Sequence, residues 1–264
     1  MKVAMDPGSP AYFNKVAEEY ASWYYAQSPG GYALRVRQQR VLELLDRPSG
    51  KVLDVGCGPG VLARELLDRG CEFWGVDASP RMIEECRKHL GKNDRAHFGP
   101  ADATSLEFPD EHFDAVICMG VIDRIPAYDA ALKEMARVVK KNGTLLISFP
   151  NLLSPYATWK KFPFYPTVAL LRPVYYGLAG RPQPPSMPSS LIKLYTARTA
   201  AKLLARHGVE ITDVVYYYFN VFLSPLDELL PRWTARVIHR LEPLRFGRLK
   251  WLGAGFILKA KKRL

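Results

Sequence analysis

Residues 52–60 read VLDVGCGPG, a run of apolar and β-branched residues that breaks into alternate glycines and passes directly into VLARELLDRG. A short apolar run of this kind fits a strand buried on both faces of a parallel sheet. Glycines at its end let the chain turn sharply into a helix without side-chain clashes. Such an elbow brings bare backbone N–H groups up to a ligand, with the positive end of the helix behind them. Its spacing, Gly56-x-Gly58-x-Gly60, is not the GxGxxG arrangement that cradles a dinucleotide pyrophosphate.

The pattern around the elbow extends this into a fold. Two helices are expected before it, over 11–28 and 33–46. After it, CEFWGVD reads as a second strand, and Ser79 and Pro80 supply the cap and first turn of a helix over PRMIEECRKHL. Strands follow at RAHFGPAD, HFDAVICMG and GTLLISFP, with a helix from Pro126 to about Val139 between the last two. Strands that alternate with helices in this way build βαβ units and a doubly wound parallel sheet. A helix over 196–208 and two late strands, VEITDVVYYYF and WLGAGFILKAKK, bring the expected strand count to seven. The chain divides into an N-terminal helical cap, 1–50, and an α/β domain, 51–264, with insertions at about 151–195 and 220–249 covering one edge of the sheet.

Asp54 narrows the choice of cofactor. A carboxylate beside the elbow repels a pyrophosphate and attracts a ligand carrying an ammonium and a sulfonium, which is S-adenosylmethionine. Asp77, at the end of the second strand and 21 residues after Gly56, stands where a carboxylate accepts from both ribose hydroxyls. Asp102 is placed to accept from the adenine amino group, with the Ala103 backbone N–H facing the ring. VLDVGCGPG, GVDAS, PADATSL, FDAVICMGVIDRI and LKEMARVVKKNGTLLIS together resemble the successive motifs of class I S-adenosylmethionine-dependent methyltransferases, especially those of ubiquinone and menaquinone biosynthesis. The resemblance is detailed over about residues 50–150, and it implies a Rossmann-like sheet whose last strand is antiparallel. It also implies that Gly56, Gly58 and Gly60 border the methionine moiety, with Cys57 and Ala78 in the same motifs. Met82 would pack on adenine, Met119 and Gly120 would line the cofactor's other side, and Tyr20 would close over it. A ring at Tyr20 favours a sulfonium through cation–π attraction.

No metal site is expected. The four cysteines form no CxxC pair, and no histidine stands at ligand spacing from them. Asp123, after the fourth strand, is the candidate general base for an acceptor hydroxyl, or else simply opens the following helix. Methyl transfer from a sulfonium needs alignment and exclusion of water more than a base.

Charge is distributed unevenly. Residues 151–264 hold 18 Lys and Arg against 5 Asp and Glu, leaving 19 against 21 in residues 1–150, for a whole-chain net charge of +11. Aromatic and basic residues interleave over 154–182, and Arg232, Arg236 and Arg240 recur every four residues. This pattern favours a lipophilic, anionic small-molecule acceptor and contact with an anionic bilayer surface. With no signal peptide or spanning helix legible, the expected location is cytoplasmic, at the inner face of a membrane. RNA methylation is the rival reading of the basic half. Against it, CMGVID after the fourth strand is not the [DN]-P-P-[YF] that holds a flipped base. A non-catalytic relative that only binds the cofactor is the second rival.

Overall fold

The computed structural model describes residues 10–45, 50–178, 193–224 and 226–263. Helices α1 (Pro10–Trp23) and α2 (Pro29–Leu45) lead into β1 (Lys51–Val55), α3 (Ala63–Asp68), β2 (Glu72–Asp77), α4 (Pro80–Leu90) and β3 (Ala96–Pro100). Next come β4 (Phe113–Cys118), α5 (Tyr128–Val138), β5 (Val139–Pro150), α6 (Pro155–Trp159), a π-helical turn at Lys160–Phe164 and α7 (Tyr165–Leu178). The remainder comprises α8 (Ala197–Ala205), β6 (Val209–Tyr217), α9 (Leu226–Leu229), α10 (Pro231–Leu241) and β7 (Gly255–Lys262).

The strands form one seven-stranded sheet in the order β3-β2-β1-β4-β5-β7-β6. The first five run parallel, and β7 is antiparallel to both of its neighbours. This is the Rossmann-like, doubly wound sheet with a reversed last strand that the sequence implies. Adjacent residues on a strand face opposite sides of the sheet, and the core divides accordingly. Leu53, Val116 and Leu145 pack under α5 and α8, whereas Val52, Ala115 and Leu146 pack under α2 and α3. Strand order reverses between β1 and β4, so the two crossovers leave a crevice beyond their carboxyl ends, where open α/β sheets bind ligands.

Several boundaries differ from the sequence reading. α1 stops at Trp23, and a break separates it from α2, which starts at Pro29. α5 starts at Tyr128, with Ala127 in the capping position, so neither Pro126 nor Asp123 opens it. β5 begins at Val139, with KKN forming an irregularity inside the strand. The ladder to β4 jumps from Phe113↔Val139 to Ala115↔Thr144, Asn142 takes φ +61°, and Lys140 Nζ meets Asp114 Oδ1 at 2.7 Å.

The two inserted segments leave the ends of β5 and β6 and pack on each other. Tyr156 Oη donates to buried Asp227 Oδ2 at 2.7 Å, and Trp159 Nε1 donates to the Ser224 carbonyl at 2.8 Å. The proline-dense stretch 180–190 and the first nine residues lie outside the described residues.

Candidate functional site

The elbow between β1 and α3 is closed by backbone bonds. Gly56 and Cys57 N–H both donate to the Val76 carbonyl, at 2.7 and 3.0 Å, which fastens the turn to β2. Gly56 has φ +74°, and a Cβ there would lie 2.3 Å from Val121 Cγ2. Gly58, at φ +54°, is different, since a Cβ there would meet only Tyr20 Cε1 at 3.7 Å. The bare backbone at Gly58 therefore faces open space beneath the Tyr20 ring. Gly56→Ala is expected to destabilise the fold by roughly 2 kcal/mol, about 1–2 of it from the left-handed backbone alone and the rest from displacing Val121. Chemical unfolding measures it, and an unchanged midpoint would show that the loop relaxes freely.

Two carboxylates stand at the strand ends. Asp77 accepts Gly58 N–H on Oδ2 and Ser79 N–H on Oδ1, both at 2.9 Å. Burial nevertheless raises its pKa, against the lowering effect of those two bonds. Asp54 is 4% exposed. Burial first, and the charge of Asp77 second, push its pKa up to about 7, with Arg37 opposing. Two neighbouring carboxylates that resist ionisation are matched by a ligand that brings positive charge.

A cavity of about 700 Å³ opens over this elbow. Gly56, Gly58, Asp77, Ala78 and Met82 line one side of it. Asp102, Ala103, Met119, Gly120 and Tyr20 complete the set of predicted residues that the fold brings together there. Asp102 Oδ1 is already engaged by Thr104 N–H and Oγ1, each at 2.8 Å, so Oδ2 is the oxygen left for a ligand. Tyr20 belongs to an aromatic stack on α1, with ring centroids 5.9 Å from Phe13 and 5.1 Å from Trp23.

Three predicted residues lie off the cavity wall. Asp54 is buried and outside the cavity's lining. Cys57 turns its thiol to Cys86, 3.9 Å away, and a Cβ on Gly60 would come within 2.9 Å of that same Cys86 sulfur, so both serve packing of the loop on α4. Phe13, Arg124 and Ile125 line the cavity but were not among the predicted residues. Phe13 stands two helical turns before Tyr20, a spacing that places both on one face of α1.

Asp123 lines a second cavity, of about 290 Å³. Gly120 and Arg124 line both cavities, so the two adjoin. Ser148 Oγ fixes Gly120 by accepting its N–H at 2.8 Å. Asp123 is 4% exposed, its Oδ1 has no hydrogen-bond partner among the described residues, and burial raises its pKa despite Arg124, Arg37 and Lys161 nearby. Arg37 reaches this junction from α2, and a Cβ on Gly120 would lie 2.5 Å from its Nη1. Burial disfavours its charge, but Tyr217, Tyr24, Tyr20 and Asp123 outweigh that and raise its pKa.

Comparison with known proteins bears on the elbow directly. Residues 53–147 match the family model described as a methyltransferase domain. Those residues, from β1 to β5, carry the methyltransferase-domain pattern. The chain is 30% identical over 135 residues to a phosphatidylethanolamine N-methyltransferase of Cereibacter sphaeroides, covering 50% of this chain and 66% of that protein. It is 29% identical over 154 residues to a ubiquinone biosynthesis O-methyltransferase of Xanthomonas oryzae pv. oryzae, covering 55% and 64%. The chain thus spans just under two thirds of the length of these curated relatives. The crystal structure of magnesium protoporphyrin IX methyltransferase from Synechocystis, with S-adenosylhomocysteine bound, superposes with a TM-score of 0.60 at 18% identity, over 96% of this chain and 97% of that one. That likeness establishes the fold.

Proposed function

We propose that this protein is an S-adenosylmethionine-dependent methyltransferase whose acceptor is a lipophilic small molecule, methylated at oxygen or carbon. The observation that carries the proposal is the pair of adjoining cavities that share Gly120 and Arg124. One cavity is an acid-floored cradle of the right residue types for the donor, and the other is walled by Leu34, Phe149, Leu194 and Tyr217. The donor fits the first cavity chemically. Asp77 takes the ribose hydroxyls, Asp102 Oδ2 and the Ala103 N–H take the adenine edge, Met82 packs on the base, and Asp54 offsets the methionyl ammonium.

When bound, the donor supplies a methyl on a sulfonium. Transfer forms a bond from the acceptor atom to that carbon, while the S–CH3 electron pair stays on sulfur and leaves S-adenosylhomocysteine. The chain's own part is to align the acceptor and keep water out. Asp123, buried beside the shared wall with Oδ1 unpaired among the described residues, would receive the proton that an acceptor hydroxyl gives up.

Relatives named for phosphatidylethanolamine and ubiquinone support a lipid-related acceptor. The surface supports it too. Leu170, Leu171, Val174 and Leu178 are exposed on α7, and Trp233 is exposed on α10 alongside Arg232, Arg236 and Arg240. Rings and aliphatic groups among arginines suit the headgroup level of an anionic bilayer, and no described helix is long and apolar enough to cross one. Tritium from methyl-labelled donor is expected to enter a lipid extract and not total RNA. Label in RNA alone would replace the lipid reading with the nucleic-acid one, and donor binding without transfer into any extract would favour a non-catalytic role.

A further inference from the structure

The second cavity combines two chemistries that an uncharged lipophilic acceptor would not require. Its apolar wall is set against four cationic side chains, Arg37, Arg124, Lys160 and Lys161, with Asp123 the one carboxylate in its lining among the described residues. They arrive from separate places. Arg37 comes from α2, Arg124 from the loop after β4, and the two lysines from the π-helical turn that follows β5. Convergence of four cations from three segments on one partly enclosed volume has no account in the local sequence of any of them.

Two carboxylates stand beside these cations. Lys160 Nζ is 3.8 Å from Asp227 Oδ2, which also accepts from Tyr156, and Arg124 Nε is 3.9 Å from Asp123 Oδ2. Lys161 is held below the usual lysine range by burial first and by the charge of Lys193, while Asp123 works the other way. Cations gathered on one partly enclosed lining raise the local potential and favour a ligand that carries negative charge. The turn that carries Lys160 and Lys161 is a π-helix, a rare conformation that recurs at functional sites.

Accepting the methyltransferase reading above, we infer that the acceptor is an anionic amphiphile, whose carboxylate or phosphate group is held by Arg37, Lys160 and Lys161 in the second cavity while its apolar body lies against Leu34, Phe149 and Tyr217. The cavity's shared wall at Gly120 then presents the atom to be methylated to the donor side. Charge recognition fixes which end of the molecule enters first, and the apolar wall accepts a range of bodies. Specificity on this account resides in the π-helical turn more than in the donor cradle.

The test uses the full chain loaded with S-adenosylhomocysteine and three probes of one length, octanoate, octyl phosphate and methyl octanoate, measured by calorimetry. The acid and the phosphate are expected to bind at least 10-fold more tightly than the neutral ester. In a Lys160→Gln, Lys161→Gln double variant that advantage is expected to disappear, while S-adenosylhomocysteine affinity stays within twofold of the parent. A Lys160→Arg, Lys161→Arg variant, which keeps the charge, is expected to restore at least half of the advantage on a logarithmic scale. Inorganic phosphate alone is expected to bind at least 10-fold more weakly than octyl phosphate, which separates an amphiphile site from a free-anion site. Equal binding of acid and ester, failure of all three probes, or an advantage that survives in the glutamine variant each overturns the inference. Failure of S-adenosylhomocysteine itself to bind the parent would strike the methyltransferase reading instead.

Discussion

Asp77→Ala is expected to weaken binding of S-adenosylmethionine by roughly 100- to 1,000-fold, with the folded state retained. Hydrogen bonds to a charged group are worth about 1.5–3 kcal/mol each, and the carboxylate is positioned for two ribose hydroxyls. It also holds the elbow open, because Gly58 and Ser79 N–H groups both point at it. Removing it takes away the ligand contact and leaves the glycine turn without its anchor to α4. Asp77→Asn separates these roles. Its single carbonyl oxygen can accept from Gly58 or from Ser79 but not from both with good geometry, and its NH2 group opposes the other donor. A loss between that of the alanine variant and the parent, about 10- to 30-fold, is the expected result. Calorimetric titration reads both, with thermal unfolding as the control for folding. A loss below threefold in the alanine variant would remove Asp77 from the donor site.

The parts of this site that were legible in the sequence are those set by local rules. The glycine elbow, the capping Ser79 and the acid at the end of β2 depend on residues within a few positions of one another, and the fold delivers them together. Ser79 Oγ accepts Met82 N–H at 3.2 Å, as its position before Pro80 predicts. Parallel strand pairing then carries Asp77 and Asp102 to the same end of the sheet as Gly56, because every βαβ unit returns in the same direction. What depended on packing between distant segments was not legible. VRQQR in α2 offers Arg37 and Arg40 as equals. Only the tertiary neighbours decide that Arg40 is buried toward Glu43 and Glu242 while Arg37 reaches the cavity junction.

The same limit explains the misplaced boundary at β5 and the dual reading of Asp123. Lys140, Lys141 and Asn142 have the composition of a turn, yet β5 runs through them as an irregularity between its paired residues Val139 and Thr144, with Lys140 held by the carboxylate of Asp114. Asp123 lies five residues before a helix that starts without it. Its environment is set by Arg124, Arg37 and Lys161, the last of which is 38 positions away and supplied by an irregular turn with a proline inside it. Periodicity carries no information about such a turn.

Asp54 makes the second large effect a pH dependence, with opposite signs for the free protein and for the complex. A folded-state pKa of about 7 against an ordinary 3.8 means that the folded protein holds a proton the unfolded chain has already released. Stability of the free protein from this group is therefore full below about pH 4 and is lost as pH rises towards and through 7, by about 4 kcal/mol in all. Asp54→Asn is expected to flatten that slope. It should unfold at a higher denaturant concentration than the parent at pH 8, by an amount reduced from the full 4 kcal/mol because burying the polar amide carries a desolvation cost of its own. Donor binding runs the other way, since the methionyl ammonium pairs with the ionised carboxylate and pulls its pKa down. Affinity of the parent should rise from pH 5.5 to 8, with protons released on binding near pH 7, detectable as a calorimetric enthalpy that changes with the ionisation heat of the buffer. In Asp54→Asn the release should vanish and affinity at pH 8 should fall about 10- to 100-fold. A variant that is more stable than its parent yet binds less donor would locate the cost of the cradle in one buried carboxylate. A parent whose affinity is flat across this range would show that Asp54 is already ionised before the donor arrives.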